Sequence, residues 1–388
     1  MEEKTTRNRN DSSPAGPLSR QDPVWLQGIA TVVPDTACSQ EEAREFMRKV
    51  PHFTPKEQRF LDRLYQGTGI EERHSVIADF VRPREEFSFF SRDPSLLPEP
   101  SPADRNNLFI TEARSLAIRA VSDLLQDLSW LDPSSITHLI TVTCTGFSAP
   151  GFDYQVVQAL NLSPTILRHN IAFMGCYAAF PALRLARTIC QALPRARVLI
   201  VDVELCSLHV QFRPDPDRLV ANAIFADGAA AALVSGDRRD DGSPRFRLDS
   251  FASRILPESA GAMSWSLGER AFDMTLSAYV PQLIREHLGE LLEESLAEGG
   301  LSPGEISLWA IHPGGKAILG KVQEALGLDE QALEDSSRVL ARYGNMSSAT
   351  IFFVLRSMAD RPCAGPVFAA AFGPGLTIET ACLERVGS

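Results

Sequence analysis

Leu131-Asp132-Pro133-Ser134-Ser135-Ile136 and Leu301-Ser302-Pro303-Gly304-Glu305-Ile306 carry Leu, Pro and Ile in the same places, 170 residues apart. A helix-like stretch precedes each, at residues 113–125 and 283–296, with apolar positions spaced three and four apart. A short apolar run ending in a turn follows each: Leu139-Ile140-Thr141-Val142 and Leu308-Trp309-Ala310-Ile311. Met174-Gly175-Cys176 and Tyr343-Gly344-Asn345 then open helical patterns at an offset of 169, and the apolar runs at 198–201 and 367–370 keep that offset. A helix–strand–turn–helix–strand order used twice predicts an α/β duplication with mostly buried sheets and two pseudo-twofold-related halves. Across such an axis two helix starts face each other, which puts Cys176 and Asn345 at equivalent positions. His312 lies where a strand of the second half ends in a turn, and α/β folds carry their sites at strand ends and helix starts.

Working outward, a chain of 388 residues is long enough for two such halves around a large core. Residues 1–23 are polar and aperiodic and read as a mobile tail. Residues 24–238 form the half carrying Cys176, and 239–388 the half carrying His312 and Asn345, divided at the charged, turn-rich loop 235–245. A net charge of -11 with no basic run excludes a dedicated nucleic-acid binder. No apolar stretch reaches the roughly 18 residues of a membrane span, and the N-terminus lacks a signal-peptide core. The seven cysteines show neither CxxC nor CxH spacing, so neither a metal site nor a disulfide scaffold is expected, and a reducing cytoplasm is the natural compartment.

Cys176 sits among small residues, with Gly175 permitting a tight turn into the helix. A thiol at a helix N-terminus feels the positive end of the dipole, and a neighbouring His lowers its pKa further, which makes a nucleophile. A lone cysteine is more often buried structure; His312 and Asn345 on the same spot reverse that preference. His312 is followed by Pro313-Gly314-Gly315, which leaves space for a ligand, while Asn345 either caps its helix or serves the site. Together they suit thioester condensation: the thiolate takes an acyl group, a second thioester loses carbon dioxide, and His and Asn donate to the enolate oxygen. Neither metal nor redox cofactor is needed. Phe225 is either a gate beside the cysteine or plain core.

Here the motifs become recognisable. Gly175-Cys176, Ile311-His312-Pro313-Gly314-Gly315, Tyr343-Gly344-Asn345-Met346-Ser347-Ser348 and Phe372-Gly373-Pro374-Gly375-Leu376-Thr377-Ile378-Glu379 span most of the chain from Trp25 onward. The sequence resembles type III polyketide synthases, the chalcone synthase-like branch of the thiolase fold. The resemblance implies a five-layer αβαβα duplication and a homodimer that loads an acyl-CoA on Cys176 and extends it with malonyl-CoA, the CoA thioesters being substrates and not cofactors. It implies Phe225 as gatekeeper and a substrate pocket formed by Cys144, Ala149, Gln211, Met274, Ser347, Gly373, Pro374 and Gly375. Ala149-Pro150 falls on the loop that reaches the partner's cavity.

Several positions depart from the plant enzymes. Cys144 stands for a pocket threonine, Met274 for a second gating phenylalanine, and Ala371 for a glycine. Of the residues holding CoA phosphates only Arg63 matches, while Phe60 and Gly67 do not, which leaves Arg59 or Arg73 as substitutes. Val203-Glu204-Leu205-Cys206-Ser207 is similar to bacterial alkylpyrone and alkylresorcinol synthases. Small or flexible side chains at Cys144, Ala149 and Met274 leave room for a medium- or long-chain fatty acyl starter. The alternatives are a malonyl-CoA-only synthase making a tetrahydroxynaphthalene-type product, a ketoacyl synthase III-like enzyme, a catalytically silent scaffold, and a cysteine hydrolase.

Overall fold

The computed structural model describes residues 22–387 apart from 238, 240, 241, 244, 260 and 278, so the expected tail lies outside the described residues save for Asp22 and Pro23. The first half contains strands β1 (Trp25–Val32), β2 (Thr36–Ser39), β3 (Glu72–Ser75), β4 (His138–Thr143), β5 (Leu167–Ala172), β6 (Arg197–Leu205) and β7 (Asp227–Ser235). Its helices are α1 (Gln40–Arg48), α2 (Pro55–Gly67), α3 (Pro102–Asp127), α4 (Phe152–Ala159), α5 (Ala179–Ala192) and α6 (Pro216–Ile224). The second half contains β8 (Arg245–Ile255), β9 (Met263–Leu267), β10 (Phe272–Leu276), β11 (Leu308–Ile311), β12 (Gly365–Gly373) and β13 (Thr377–Val386). Its helices are α7 (Val280–Gly299), α8 (Lys316–Leu326), α9 (Glu334–Tyr343) and α10 (Thr350–Ala359).

The main sheet has the order β11-β12-β13-β8-β1-β7-β6-β4-β5. It reads outward from the β8/β1 junction as two matching series: β13 answers β7, β12 answers β6, and β11 answers β4. The junction itself is thin, with only Trp25 against Arg247 and Leu26 against Phe246. The repeated Leu-x-Pro-x-x-Ile stretch is a short 3-10 turn with Pro at its start (Pro133–Ser135 and Pro303–Glu305) that delivers the chain into β4 and β11. β5 breaks the symmetry: on the other side the sheet ends at β11, with no further strand among the described residues.

Alternation along the buried strands sorts side chains into three apolar layers. Leu199, Val201 and Val203 of β6 pack under α3 with Leu116, Ala120 and Leu124. Val198 and Ile200 face the other way, onto a layer shared with Phe180 and Leu183 of α5, Phe352 and Leu355 of α10, and Val367 and Ala369 of β12. Phe368 and Ala370 of β12 face outward onto Ile284, Leu288 and Leu291 of α7. The order is therefore α3, sheet, α5 and α10, sheet, α7: five layers, with two central helices touched by both halves. α10 is buried almost all round (Thr350, Ile351, Phe352, Phe353, Val354 and Leu355), as a helix between two sheets must be.

One expectation needs correcting. Cys176 and Asn345 do not themselves open helices: α5 begins at Ala179 and α10 at Thr350, so each residue occupies the tight turn before its helix.

Candidate active site

The Cys176 turn is closed by Ala178 N–H donating to Gly175 O at 3.0 Å. Gly175 has φ +78°, and a Cβ there would lie 2.3 Å from Cδ of Pro374. A Cβ on Gly373 would lie 2.6 Å from the Tyr177 ring. The Gly373-Pro374-Gly375 turn therefore packs directly on the nucleophile turn, and glycine is required on both sides of the contact.

His312 follows the last residue of β11, and its N–H donates to Ala370 O at 2.8 Å. The ring is buried, and neither Nδ1 nor Nε2 has a hydrogen-bond partner among the described residues. Asn345 is held by its backbone, its N–H donating to Ile224 O and its carbonyl accepting from Ala226 N–H, both at 2.9 Å. Its Oδ1 accepts the Ser347 N–H at 2.9 Å and its Nδ2 donates to Gly314 O at 3.4 Å. Ser347 has φ +48°, a left-handed conformation that non-glycine residues resist. Its hydroxyl lies 3.3 Å from Cys144 Sγ.

Cys176, His312 and Asn345 line one cavity of about 610 Å³ together with Cys144, Phe225, Met274, Ser347 and Pro374. Arg63 lines it too, as does Lys316 of α8. Burial, and to a lesser degree the Glu204 charge, pushes the Cys176 thiol up to about 12, against hydrogen bonds with Ser347 and Asn345 that pull it down. Burial drives His312 down to about 3. The thiolate expected at a helix N-terminus meets an opposing influence here: the helix starts three residues later, at Ala179, and burial raises the thiol. Burial thus favours the neutral form of each group, a thiol and an imidazole. A neutral imidazole is the form that can take the thiol proton.

Other candidates fall elsewhere. Gln211 is behind the cavity, its Nε2 donating to Asp273 Oδ1 at 2.9 Å, because the hairpin of β9 and β10 stands between. Ala149 lies on an exposed loop, next to a cis peptide to Pro150, and does not line the cavity of its own chain. Gly373 and Gly375 flank Pro374 without lining the cavity. Arg73 is not available to a phosphate: it is buried and donates to Asn222 O and Phe225 O, both at 2.8 Å. Arg59 is exposed and away from the cavity wall.

Trp265 and Lys316 are among the wall residues that went unread in the sequence. Trp265 stands opposite Met274 in the β9–β10 register, and its Nε1–H donates to Cys144 O at 2.7 Å. It sits edge-on to His209 (5.3 Å), whose ring stacks on Phe272 at 4.3 Å and whose Nε2 is 2.7 Å from Thr145 O. The room expected beyond Cys144 and Met274 is therefore walled by an indole locked in place. The exposed side chain of Lys316 covers Gly69 at the first turn of α8. Neither position stands out by spacing, since the residues it meets lie far away in the chain.

Residues 18–238 match the family described as chalcone and stilbene synthases, N-terminal domain, and residues 247–387 match the C-terminal domain of the same family. Among solved structures, the C-terminal type III polyketide synthase domain of Steely1, a type I/III hybrid from Dictyostelium, is similar at 28% identity and TM-score 0.85, over 94% of this chain and 99% of that one. PKS-I from the brown alga Ectocarpus siliculosus is similar at 28% identity and TM-score 0.81, over 95% of this chain and 100% of that one.

Proposed function

We propose, on the premise that this chain belongs to the chalcone and stilbene synthase family, that its cavity condenses a fatty acyl starter with malonyl units on Cys176. Membership makes the chain a type III polyketide synthase, an acyltransferase; the residue roles, starter and product below are our reading. The observation that carries it is one chamber containing the Cys176 thiol, a His312 ring whose two nitrogens have no hydrogen-bond partner among the described residues, and Asn345.

In loading, the thiol attacks the thioester carbonyl of acyl-CoA, His312 takes its proton, and CoA departs with a proton while the acyl–sulfur bond forms on Cys176. Malonyl-CoA then breaks its bond to carbon dioxide, and the enolate oxygen is met by N–H donors of His312 and Asn345. The enolate carbon attacks the Cys176 thioester, so a carbon–carbon bond forms and the cysteine sulfur leaves, regaining its proton from solvent or His312. The balance closes with CoA thioesters as substrates and no resident cofactor.

Leu64, Val220, Leu276, Val280 and Ile318 give the chamber apolar walls, which supports a medium- or long-chain acyl starter and an alkylpyrone or alkylresorcinol product. Arg63 and Lys316 supply cations suited to CoA phosphates. The homodimer is supported by the end of the sheet, where β5 is exposed along nearly its whole length and Phe147, Phe173 and Leu167 stand about half exposed. A second copy on that edge covers them and brings the Ala149 loop near the shared boundary; light scattering giving a monomer at micromolar concentration would exclude it. No helix among the described residues is long and apolar enough to cross a membrane, and seven free cysteines suit a reducing cytoplasm.

The test is incubation with malonyl-CoA alone and then with acyl-CoAs of graded length, with products read by mass. Products containing the starter are expected. Equal product without any starter supports the malonyl-only tetrahydroxynaphthalene reading, and free acid with no new carbon–carbon bond indicates a hydrolase.

A further inference from the structure

Asp202 and Glu204 stand two residues apart on β6, so both face the central apolar layer, and both are fully buried. Between them lies one hydroxyl. Ser348 Oγ is 2.9 Å from Asp202 Oδ1 and 2.7 Å from Glu204 Oε1. A serine hydroxyl has a single proton, so it can donate to only one of these oxygens; the other short contact needs a proton from the carboxyl itself. One member of the pair is therefore an acid.

The partners decide which. Glu204 Oε2 accepts the Cys144 N–H at 3.0 Å, the Thr145 hydroxyl at 2.9 Å and the Thr143 hydroxyl at 3.4 Å, a set of donors that suits an anion. Asp202 Oδ2 has no partner among the described residues, which a buried carboxylate cannot tolerate and a carboxylic acid can. Burial first, then the Glu204 charge, pushes Asp202 well above the usual carboxylate range, and Glu204 is the one charged group acting on it among the described residues. Other ionisable groups around this layer are Cys144, Cys176 and Cys206, all pushed up by burial, Asp227 at the start of β7, raised to about 6, and His312.

We propose that Asp202 is a positioning residue for the condensing site: a carboxylic acid that stays neutral in the folded enzyme, whose proton fixes the Ser348 hydroxyl onto Glu204 and clamps the 345–348 turn to β6. That turn carries Asn345 and the left-handed Ser347, both of which reach the Cys176 sulfur. A strained residue keeps its conformation only where its neighbours over-determine it. The clamp at Ser348 acts from one side, and the Asn345 Oδ1 contact with Ser347 N–H from the other. The role rests on the condensing reading of Cys176 and Asn345; the protonation state does not.

The experiment compares Asp202→Asn with Asp202→Val. The amide Nδ2 can donate to Ser348 Oγ as the acid does, so Asp202→Asn should keep kcat within about threefold, whereas Asp202→Val should lose roughly tenfold in kcat with KM for malonyl-CoA unchanged. The acid C=O stretch in the infrared should be present in the wild type and missing from Asp202→Asn.

Folding must also take up this proton. The stability it brings is fully present below the unfolded carboxylate pKa and is lost as pH rises toward the raised folded value. Across that window the folding constant of the wild type relative to Asp202→Asn should fall by about tenfold per pH unit. A wild type with no acid band, or a flat ratio, shows Asp202 ionised and overturns the proposal, as do Asp202→Val with wild-type kcat and Asp202→Asn as impaired as Asp202→Val. The infrared and unfolding readouts need no turnover, so they judge the proton even if the condensing reading fails.

Discussion

Truncation of Trp265 should move the longest starter the enzyme accepts. The indole closes the chamber beyond Cys144 and Met274, hydrogen-bonded to the Cys144 carbonyl at 2.7 Å. Each methylene of an alkyl tail buried in an apolar chamber contributes about 0.8 kcal/mol, which is roughly fourfold in kcat/KM per added carbon until the tail meets a wall. A tryptophan carries roughly 150–250 Å² of contact surface and a methylene about 30 Å², and His209 and Phe272 already cover part of this indole; with about half of its surface toward the chamber it vacates lining for about three methylenes. The assay is kcat/KM for straight-chain acyl-CoA starters at fixed malonyl-CoA, with product masses. In the wild type log kcat/KM should climb with chain length and then break; Trp265→Ala should move the break outward by about three carbons, and Trp265→Phe by at most about one. Trp265→Ala also leaves the Cys144 carbonyl without its donor, at about 1–3 kcal/mol of stability, so thermal unfolding is followed in parallel. If the break stays put in a folded Trp265→Ala enzyme, the acyl tail does not run toward Trp265 and the reasoning fails.

Removal of Lys316 should raise KM for malonyl-CoA by about fivefold, the scale of one exposed charge contact, and Arg63→Ala should add to it, while KM for an N-acetylcysteamine thioester, which has no phosphates, stays unchanged. Equal losses on both substrates would mean that Lys316 shapes the chamber rather than holding phosphate. Glu204 raises the Cys176 thiol, so Glu204→Gln should shift the pH midpoint of iodoacetamide alkylation of Cys176 downward, toward the ordinary thiol value; an upward shift would contradict the sign of that charge. Gly175→Ala puts a Cβ 2.3 Å from Pro374, so kcat should fall by roughly tenfold or more, and adding Pro374→Gly should restore part of it. No restoration would assign the loss to backbone strain at φ +78° alone.

The duplication was legible because it is written in residues that bury themselves. Leu131, Pro133 and Ile136 are matched by Leu301, Pro303 and Ile306 since each set starts a 3-10 turn and drops an apolar side chain toward the core before a buried strand. Cys176, His312 and Asn345 were legible for a related reason: all three sit in turns fixed by glycine and sheet hydrogen bonds, Cys176 and Asn345 at matching points of a repeated unit and His312 at a strand end. Motif order carried Phe225, Met274 and Cys144 onto the wall as well.

What stayed hidden depends on contacts between positions with no periodic relation. Trp265 meets the Cys144 carbonyl across 121 residues, and Ser348 meets Asp202 across 146. A serine between two acids, or a tryptophan in a short amphipathic hairpin, looks like any other until the chain is folded. The direction of the thiol shift was missed for the same reason. A helix start is visible in sequence, but the desolvation that raises the thiol comes from many residues at once, and it is the largest contribution here. Burial favours a neutral thiol and a neutral imidazole in this one chamber, which makes the proton move part of loading. Cys176 should therefore react slowly with a general alkylating agent near neutral pH yet acylate readily from a bound thioester, the carbonyl drawing the proton across to His312 as the sulfur adds. Rapid neutral-pH alkylation together with slow acylation would reverse that order and require a preformed thiolate.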